Sequence, residues 1–107
     1  MKAARFEYAR PKDVAEALKL LAEGGDGAKC AAGTQSLGPM LNLRVVQPTV
    51  LVDLRHIEEL KAVTDAPDAV TYGACTTHAA VEDGRVPDAS GGFLREIASN
   101  IAYRAVR

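Results

Sequence analysis

The sequence predicts a single α+β or α/β domain of 107 residues. An apolar repeat at helical spacing follows Asp13, two short apolar runs at 28–32 and 49–53 are typical of buried strands, and a turn at 65–68 separates two further strand-like segments. A chain of this length buries roughly two-thirds of the surface that its unfolded form exposes. We therefore expect a small core.

The first elements are a strand and a helix. Residues 5–8 alternate in polarity, which predicts a short strand. Asp13 and Glu16 have the spacing of a capping box, and apolar residues at helical intervals follow them. Gly24-Gly25 is typical of a helix C-terminus. These signals predict a helix between residues 13 and 25.

The next segment predicts strand, helix and strand. The small apolar residues at 28–32 fit a buried strand, and the run at 49–53 fits a second one. Between them, residues 36–44 are expected to contain a short helix with Ser36 as its cap.

The second half predicts a hairpin followed by helices. Residues 61–64 and 69–73 are expected to pair as antiparallel strands, and Thr76 or Thr77 to cap a short helix. Residues 93–106 have apolar side chains along one helical face. Those side chains belong to Phe93, Leu94, Ile97, Ala98, Ile101 and Ala105. This face needs a surface to pack against, and Tyr103 and Arg104 could reach a partner subunit.

Composition excludes several classes of protein. Thirteen Lys and Arg against fourteen Asp and Glu give a net charge of -1, which disfavours nucleic acids and anionic membranes as partners. We find no signal-peptide core and no long apolar stretch, and we expect a soluble cytoplasmic protein without membrane insertion. Cys30 and Cys75 lie among residues that look buried, so we expect reduced thiols.

The most informative stretch is the end of the second predicted strand, Ala31-Ala32-Gly33. Such small side chains let a phosphate approach the main-chain amides, which can form an anion-binding nest. Thr34, Gln35 and Ser36 add donors, and a following helix would add its partial positive charge. The pattern indicates a phosphate cradle that needs no lysine.

Two better-known phosphate motifs are absent. Gly33 is not followed by Gly-Lys-Ser/Thr, and no G-x-G-x-x-G pattern opens a helix after a strand. An ordinary strand-to-helix turn with a serine cap remains the alternative interpretation of residues 31–36.

Four ordered motifs nevertheless resemble one family. They are F-x-Y-x-R-P-K-D-V-A-E-A-L-x-L-L from Phe6, A-A-G-T-Q-S-L-x-P-x-L-N-L-R from Ala31, P-x-x-L-V-D-L-x-x-I-x-E-L from Pro48 and Y-G-A-x-T-T-H from Tyr72. Together they resemble the N-terminal part of the FAD-binding domain of molybdenum-containing hydroxylases, the flavin subunit of carbon monoxide dehydrogenase and xanthine dehydrogenase. The resemblance spans nearly the whole chain.

The resemblance implies a fold and a set of site residues. The fold would be a small βαβ subdomain at about 1–55, followed at about 56–107 by the start of a mixed or antiparallel sheet subdomain. The FAD pyrophosphate would be wrapped by Ala31, Ala32, Gly33, Thr34, Gln35, Ser36 and Leu37. The same cofactor would be lined by Ala74, Thr76, Thr77 and His78. Ala32 replaces the first glycine of the family pattern, and no catalytic or metal-ligating residue is implied.

The resemblance also implies a function. FAD would take electrons from iron-sulfur clusters and pass them to an acceptor, with a molybdopterin-binding large subunit and an iron-sulfur small subunit as partners. In the family, the last helix runs into an Asn-x-Gly-Thr-Ile-Gly-Gly loop that does not follow Arg107 here. We therefore expect an incomplete FAD-binding domain whose missing remainder is a further candidate partner. We also expect FAD to bind weakly to this chain alone, and the Phe93 to Ala105 face to self-associate.

Three alternatives remain. The chain could be a stand-alone nucleotide-binding or interaction module without redox activity. Thr77 beside His78 suggests a hydrolase, although the sequence places no third group beside them. Cys75 and His78 form only half of a zinc-binding pattern.

Overall fold

The computed structural model describes residues 1–101 and 103–107. The chain forms two compact units, Met1–Glu59 and Leu60–Arg107, where the sequence predicted a boundary near residue 55. We describe each unit by itself.

The first unit contains a parallel sheet of three strands with two connecting helices. Its elements in chain order are β1 (Glu7–Ala9), α1 (Val14–Gly24), β2 (Ala28–Ala31), α2 (Leu37–Asn42) and β3 (Val50–Asp53). The strand order is β1-β3-β2, so β3 is central, and it pairs Leu51 with Tyr8 and Asp53 with Ala31. Parallel neighbours need crossover connections, which α1 and α2 supply. The predicted βαβ arrangement is confirmed.

The two helices lie on opposite faces of this sheet. The α1 end at Gly24 lies against Ala28 and Val50. On the other face, Leu41 of α2 packs with Ala31 and Leu51. Because neighbouring side chains in a strand alternate between faces, these two sets belong to different layers. The small core therefore lies on both sides of β3.

The predicted caps of α1 are confirmed. Asp13 Oδ1 accepts from the Glu16 amide at 2.8 Å, and Glu16 Oε2 accepts from the Lys12 amide at 2.9 Å. Gly25, with φ of 51°, ends the helix in a backbone conformation that favours glycine. The predicted Ser36 cap is wrong, because its side chain makes no capping bond. The turn is closed instead by the backbone.

The second unit contains a hairpin and two helices. Strands β4 (Val63–Asp65) and β5 (Val70–Tyr72) are antiparallel, and α3 (His78–Glu82) and α4 (Phe93–Asn100) follow. The predicted hairpin is confirmed, with the Ala66 amide donating to the Ala69 carbonyl at 2.9 Å. Thr77 caps α3, since its Oγ1 accepts from the Ala80 amide at 3.0 Å.

The last helix is shorter than predicted. It ends at Asn100 rather than near residue 106, and Ile101 is extended, with φ of -85° and ψ of 115°. The predicted helical positions 101 and 105 are therefore not on α4, and residue 102 lies outside the described residues. A short 3-10 turn at Arg104–Val106 follows.

Ion pairs explain why the tail leaves the helix. Arg104 contacts Glu82 at 2.5 Å and Asp83 at 2.8 Å, and Arg107 contacts Glu82 at 2.6 Å. Hydrogen bonds from Arg107 and then Arg104 lower the pKa of Glu82. Arg104, which the sequence left as one possible contact with a partner subunit, binds carboxylates of its own chain.

The expected burial of the cysteines is wrong for Cys30. This residue is exposed on the edge strand β2, although Ala28 and Ala31 of the same strand are buried, whereas Cys75 is half-buried. Neither cysteine forms a disulfide bond.

Candidate functional site

Residues 31–37, which we call the Gly33 loop, connect β2 to α2. They follow the carboxyl end of β2, directly beside the end of β3, where the Leu54 amide donates to the Ala31 carbonyl at 2.9 Å. In sheets of this kind, ligands bind outside the carboxyl ends of parallel strands. The structure therefore places the predicted cradle at a favourable edge.

The Gly33 loop presents free main-chain donors to solvent. Ala31 is buried, Ala32 and Leu37 are half-buried, and residues 33–36 are exposed. Within residues 1–101 and 103–107, the amides of Gly33, Thr34 and Ser36 donate no hydrogen bond. Thr34 has φ of 59°, a left-handed conformation that costs a non-glycine residue about 1 kcal/mol. Strain of this kind often marks a binding loop.

Gln35 limits what can replace Gly33. A Cβ on Gly33 would clash with Gln35 Oε1 and lie 3.1 Å from its Cδ and Nε2. The obstruction is the end of a flexible side chain, so the fold can accept a small residue here. The Gln35 side chain lies against the loop, and its amide group is a donor beside the backbone donors.

Residues 74–78, which we call the Thr77 segment, connect β5 to α3. Ala74 and His78 are exposed. The Thr77 hydroxyl oxygen accepts the capping hydrogen bond of α3. No hydrogen bond joins Thr77 to His78 in the described part of the chain. This geometry gives no support to a hydrolase.

An apolar cavity of about 270 Å³ lies between the Thr77 segment and α4. Its wall includes Tyr72, Thr76, Val81, Leu94, Ile97 and Ile101. Thr76 Oγ1 is buried and has no hydrogen-bond partner, which costs about 1–3 kcal/mol. Tyr72 was not a predicted site residue, although it ends β5 directly before Gly73. Its hydroxyl donates to the Pro87 carbonyl.

A polar cluster at the end of β3 was also missed. The Asp53 carboxylate, 1% exposed, accepts from the Tyr8 hydroxyl and from Arg55 through its amide at 3.0 Å, Nε at 3.0 Å and Nη2 at 2.8 Å. The Arg55 hydrogen bonds hold the pKa of Asp53 well below its ordinary value, and the bond to Asp53 raises that of Tyr8. One sequence signal could have revealed this cluster: an aspartate ends a buried strand, and an arginine follows it two residues later.

Two further side chains complete this cluster. Arg10 Nη2 lies 3.2 Å from His56 Nδ1, and His56 Nε2 lies 3.7 Å from Asp53 Oδ2. His56 is exposed, as expected from its position after β3.

The described residues show no metal-binding cluster of three or more His, Cys, Asp or Glu side chains. Across residues 1–101 and 103–107, every helix is too short or too polar to cross a membrane.

Residues 4–107 match a family described as the FAD binding domain in molybdopterin dehydrogenase. The chain is 37% identical over its whole length to the alpha subunit of the 6-hydroxypseudooxynicotine dehydrogenase complex of Paenarthrobacter nicotinovorans. It is 40% identical, over 96% of its length, to the carbon monoxide dehydrogenase medium chain of Hydrogenophaga pseudoflava. Each match covers 36% of the relative, so the chain spans about a third of the length of these proteins.

Solved structures show the same similarity. A chain of carbon monoxide dehydrogenase from Hydrogenophaga pseudoflava superposes with a TM-score of 0.93 at 39% identity, covering 100% of this chain and 37% of that one. A chain of quinoline 2-oxidoreductase from Pseudomonas putida 86 superposes with a TM-score of 0.87 at 32% identity, covering 99% and 37%.

Proposed function

Because the chain belongs to the family of FAD-binding domains of molybdopterin dehydrogenases, we propose that it holds part of the FAD of a multisubunit molybdenum hydroxylase-type oxidoreductase. In that assembly, electrons pass from iron-sulfur clusters through FAD to an acceptor. FAD supplies the redox chemistry, and the protein binds and orients it. We therefore assign no general acid or base to this chain.

The Gly33 loop fits the diphosphate of FAD. The unpaired amides of Gly33, Thr34 and Ser36 are the observation that carries this proposal, because an exposed loop with successive free N–H groups is a ready anion site. Thr34, Gln35 and Ser36 side chains add polar hydrogens. Ala31, Ala32 and Leu37 anchor the loop to the sheet and to α2.

The Thr77 segment fits a second part of the same cofactor. Thr76 has an unpaired buried hydroxyl beside an apolar cavity, and Ala74 and His78 are exposed next to it. A ligand with an apolar body and polar edges would satisfy both features. Thr77 supports this segment by capping α3.

A glycine substitution tests the proposal. Gly33→Ala adds a methyl group within the loop, against the end of the flexible Gln35 side chain, which would have to move. We expect FAD affinity to fall at least about fivefold, the loss of roughly one neutral hydrogen bond. Titration followed by NMR chemical shifts measures affinities in the weak range.

Gly38→Ala is the matched control, because its added Cβ would meet only Thr34 at 3.8 Å. This variant should bind FAD like the unaltered chain. Equal affinity in all three proteins would contradict a diphosphate site at Gly33. Binding of ADP but not of flavin would point to the alternative, a nucleotide-binding module without redox activity.

We also propose the partners and location of the assembly. A molybdopterin-binding large subunit, an iron-sulfur small subunit or the remainder of the flavin subunit would contact the apolar side of α4. Neither Cys30 nor Cys75 forms a disulfide bond, which is in line with a location in the reducing cytoplasm.

A further inference from the structure

Arg55 lies in the turn directly after β3, the strand that pairs with β2. β2 and β3 pair Ala31 with Asp53, and the Leu54 amide is bonded to the Ala31 carbonyl at 2.9 Å. Gly33 and Arg55 are each two residues beyond this pair, and neighbouring strands are about 4.8 Å apart. The Arg55 backbone therefore leaves the sheet at the same edge as the loop that we assign to the diphosphate.

The Gly33 loop carries no cation of its own. Residues 31–37 include neither Lys nor Arg, and amides contribute only partial charges. A diphosphate diester has one negative charge on each phosphate, so a nearby full cation would strengthen its binding.

The cluster on Asp53 provides such a cation. The two arginines, Arg10 and Arg55, carry one more charge than the single carboxylate of Asp53. Asp53 uses Nε and Nη2 of Arg55 but not Nη1, and the Arg55 side chain is 60% exposed. The buried carboxylate thus fixes the guanidinium in one orientation near the Tyr8 hydroxyl, and Nη1 takes no part in the bonds to Asp53.

We propose that Arg55, held by Asp53, binds the diphosphate of FAD at the Gly33 loop. The inference rests on the proposed function and adds one residue that the motifs of the loop do not contain. Because a planar guanidinium can bond Asp53 and a phosphate oxygen at the same time, lysine cannot replace it fully.

Three ligands and three variants test this role in the full chain by NMR titration. FAD and ADP carry the diphosphate, whereas riboflavin does not. Arg55→Gln should weaken FAD and ADP binding about tenfold, the effect of one charge-assisted hydrogen bond, and leave riboflavin unchanged. Arg55→Lys should recover part of the loss.

Arg10→Gln is the matched control, because it removes the same charge one strand farther from the loop, after β1. It should weaken FAD and ADP binding less than Arg55→Gln. If both variants lose affinity equally, the effect is general electrostatics and the inference is overturned. If Arg55→Gln does not fold, the ADP affinity of Arg55→Lys is the test. An Arg55→Lys protein that binds ADP as tightly as the unaltered chain overturns the inference.

The two proposals fail differently. If FAD and ADP bind at the Gly33 loop and neither Arg55 variant changes their affinity, only the role of Arg55 is wrong. If neither ligand shifts the resonances of residues 31–37 in the unaltered chain, the proposed function and the inference both fail.

Discussion

Gly73 is the glycine at which an added methyl group should lower the stability of the fold most. A Cβ there would clash with the Leu60 carbonyl oxygen and lie 2.5 Å from its carbon and 2.9 Å from the Ala62 oxygen. These are backbone atoms that cannot move without breaking the bonds from Gly73 to Ala62 and from Cys75 to Leu60, both 2.8 Å. We expect Gly73→Ala to destabilise the second unit by about 2–4 kcal/mol.

Urea unfolding followed by circular dichroism measures this loss. Gly38→Ala makes the same chemical change in a helix with room for the methyl group, and it should change stability by about 1 kcal/mol or less, toward greater stability. A Gly73→Ala protein as stable as this control would show that the contact with residues 60–62 is wrong.

The Asp53 cluster makes the first unit sensitive to acid. The pKa of Asp53 is lowered in the folded chain, so its contribution to stability is present above its unfolded pKa near 3.8 and is lost as pH falls below about 4. Asp53→Asn should cost about 1–3 kcal/mol at pH 7, since the donors of Arg55 lose a charged acceptor.

The difference between wild type and Asp53→Asn should shrink as the pH is lowered. Hydrogen exchange of the Leu54 amide, whose bond to Ala31 joins β3 to β2, reports this locally. Asp26→Asn is the control, at an exposed carboxylate in the turn before β2. A constant difference between pH 7 and acid pH would argue against an ionised, buried Asp53.

At the scale of elements, the sequence predicted the features that depend on interactions between neighbouring residues. The α1 caps and the β4–β5 hairpin depend on residues a few positions apart, and both were predicted correctly. The end of α4 was not, because the ion pairs of Arg104 and Arg107 join residues 21 to 25 positions apart. The predicted burial of Cys30 was wrong for a related reason, since the residues that cover or leave open each position of β2 come from other parts of the chain.

The same logic applies to the candidate site. Small residues around Gly33 indicated an accessible backbone, and in the described part of the chain the amides of Gly33, Thr34 and Ser36 donate no hydrogen bond. The Asp53 cluster was missed because Tyr8 and Asp53 are 45 positions apart and meet only when β1 pairs with β3.

The apolar side of α4 should drive association. Phe93, Leu94 and Ile97 of this helix are 63%, 39% and 41% exposed, and only Ala98 of the helix is buried. Ile101, directly after the helix, is 38% exposed. Exposed apolar clusters of this kind are typical of interaction surfaces. We expect the chain to self-associate at high concentration, and Phe93→Glu to reduce this, because it places a charge on the apolar surface. The helix should tolerate the new carboxylate, which lies near its N-terminus.

Light scattering over a concentration series measures the association. Leu18→Glu is the matched control, since Leu18 is 61% exposed on α1 in the other unit. It should leave the association unchanged. The interface would be contradicted if the unaltered chain stayed a monodisperse monomer at high concentration.

At the scale of the whole molecule, the proposal requires both units to respond to one ligand. The chain spans about a third of its relatives, and the Gly33 loop offers mainly neutral donors, so we expect a Kd for FAD above about 1 µM. At saturating FAD, the amides of Gly33, Thr34 and Ser36 should shift in NMR spectra, together with those of residues 74–78. ADP should shift the first group, because it carries the diphosphate. Riboflavin should leave that group unchanged. Shifts confined to the first unit would remove the Thr77 segment from the site, and a submicromolar Kd would show that the loop needs little help from the rest of a flavin subunit.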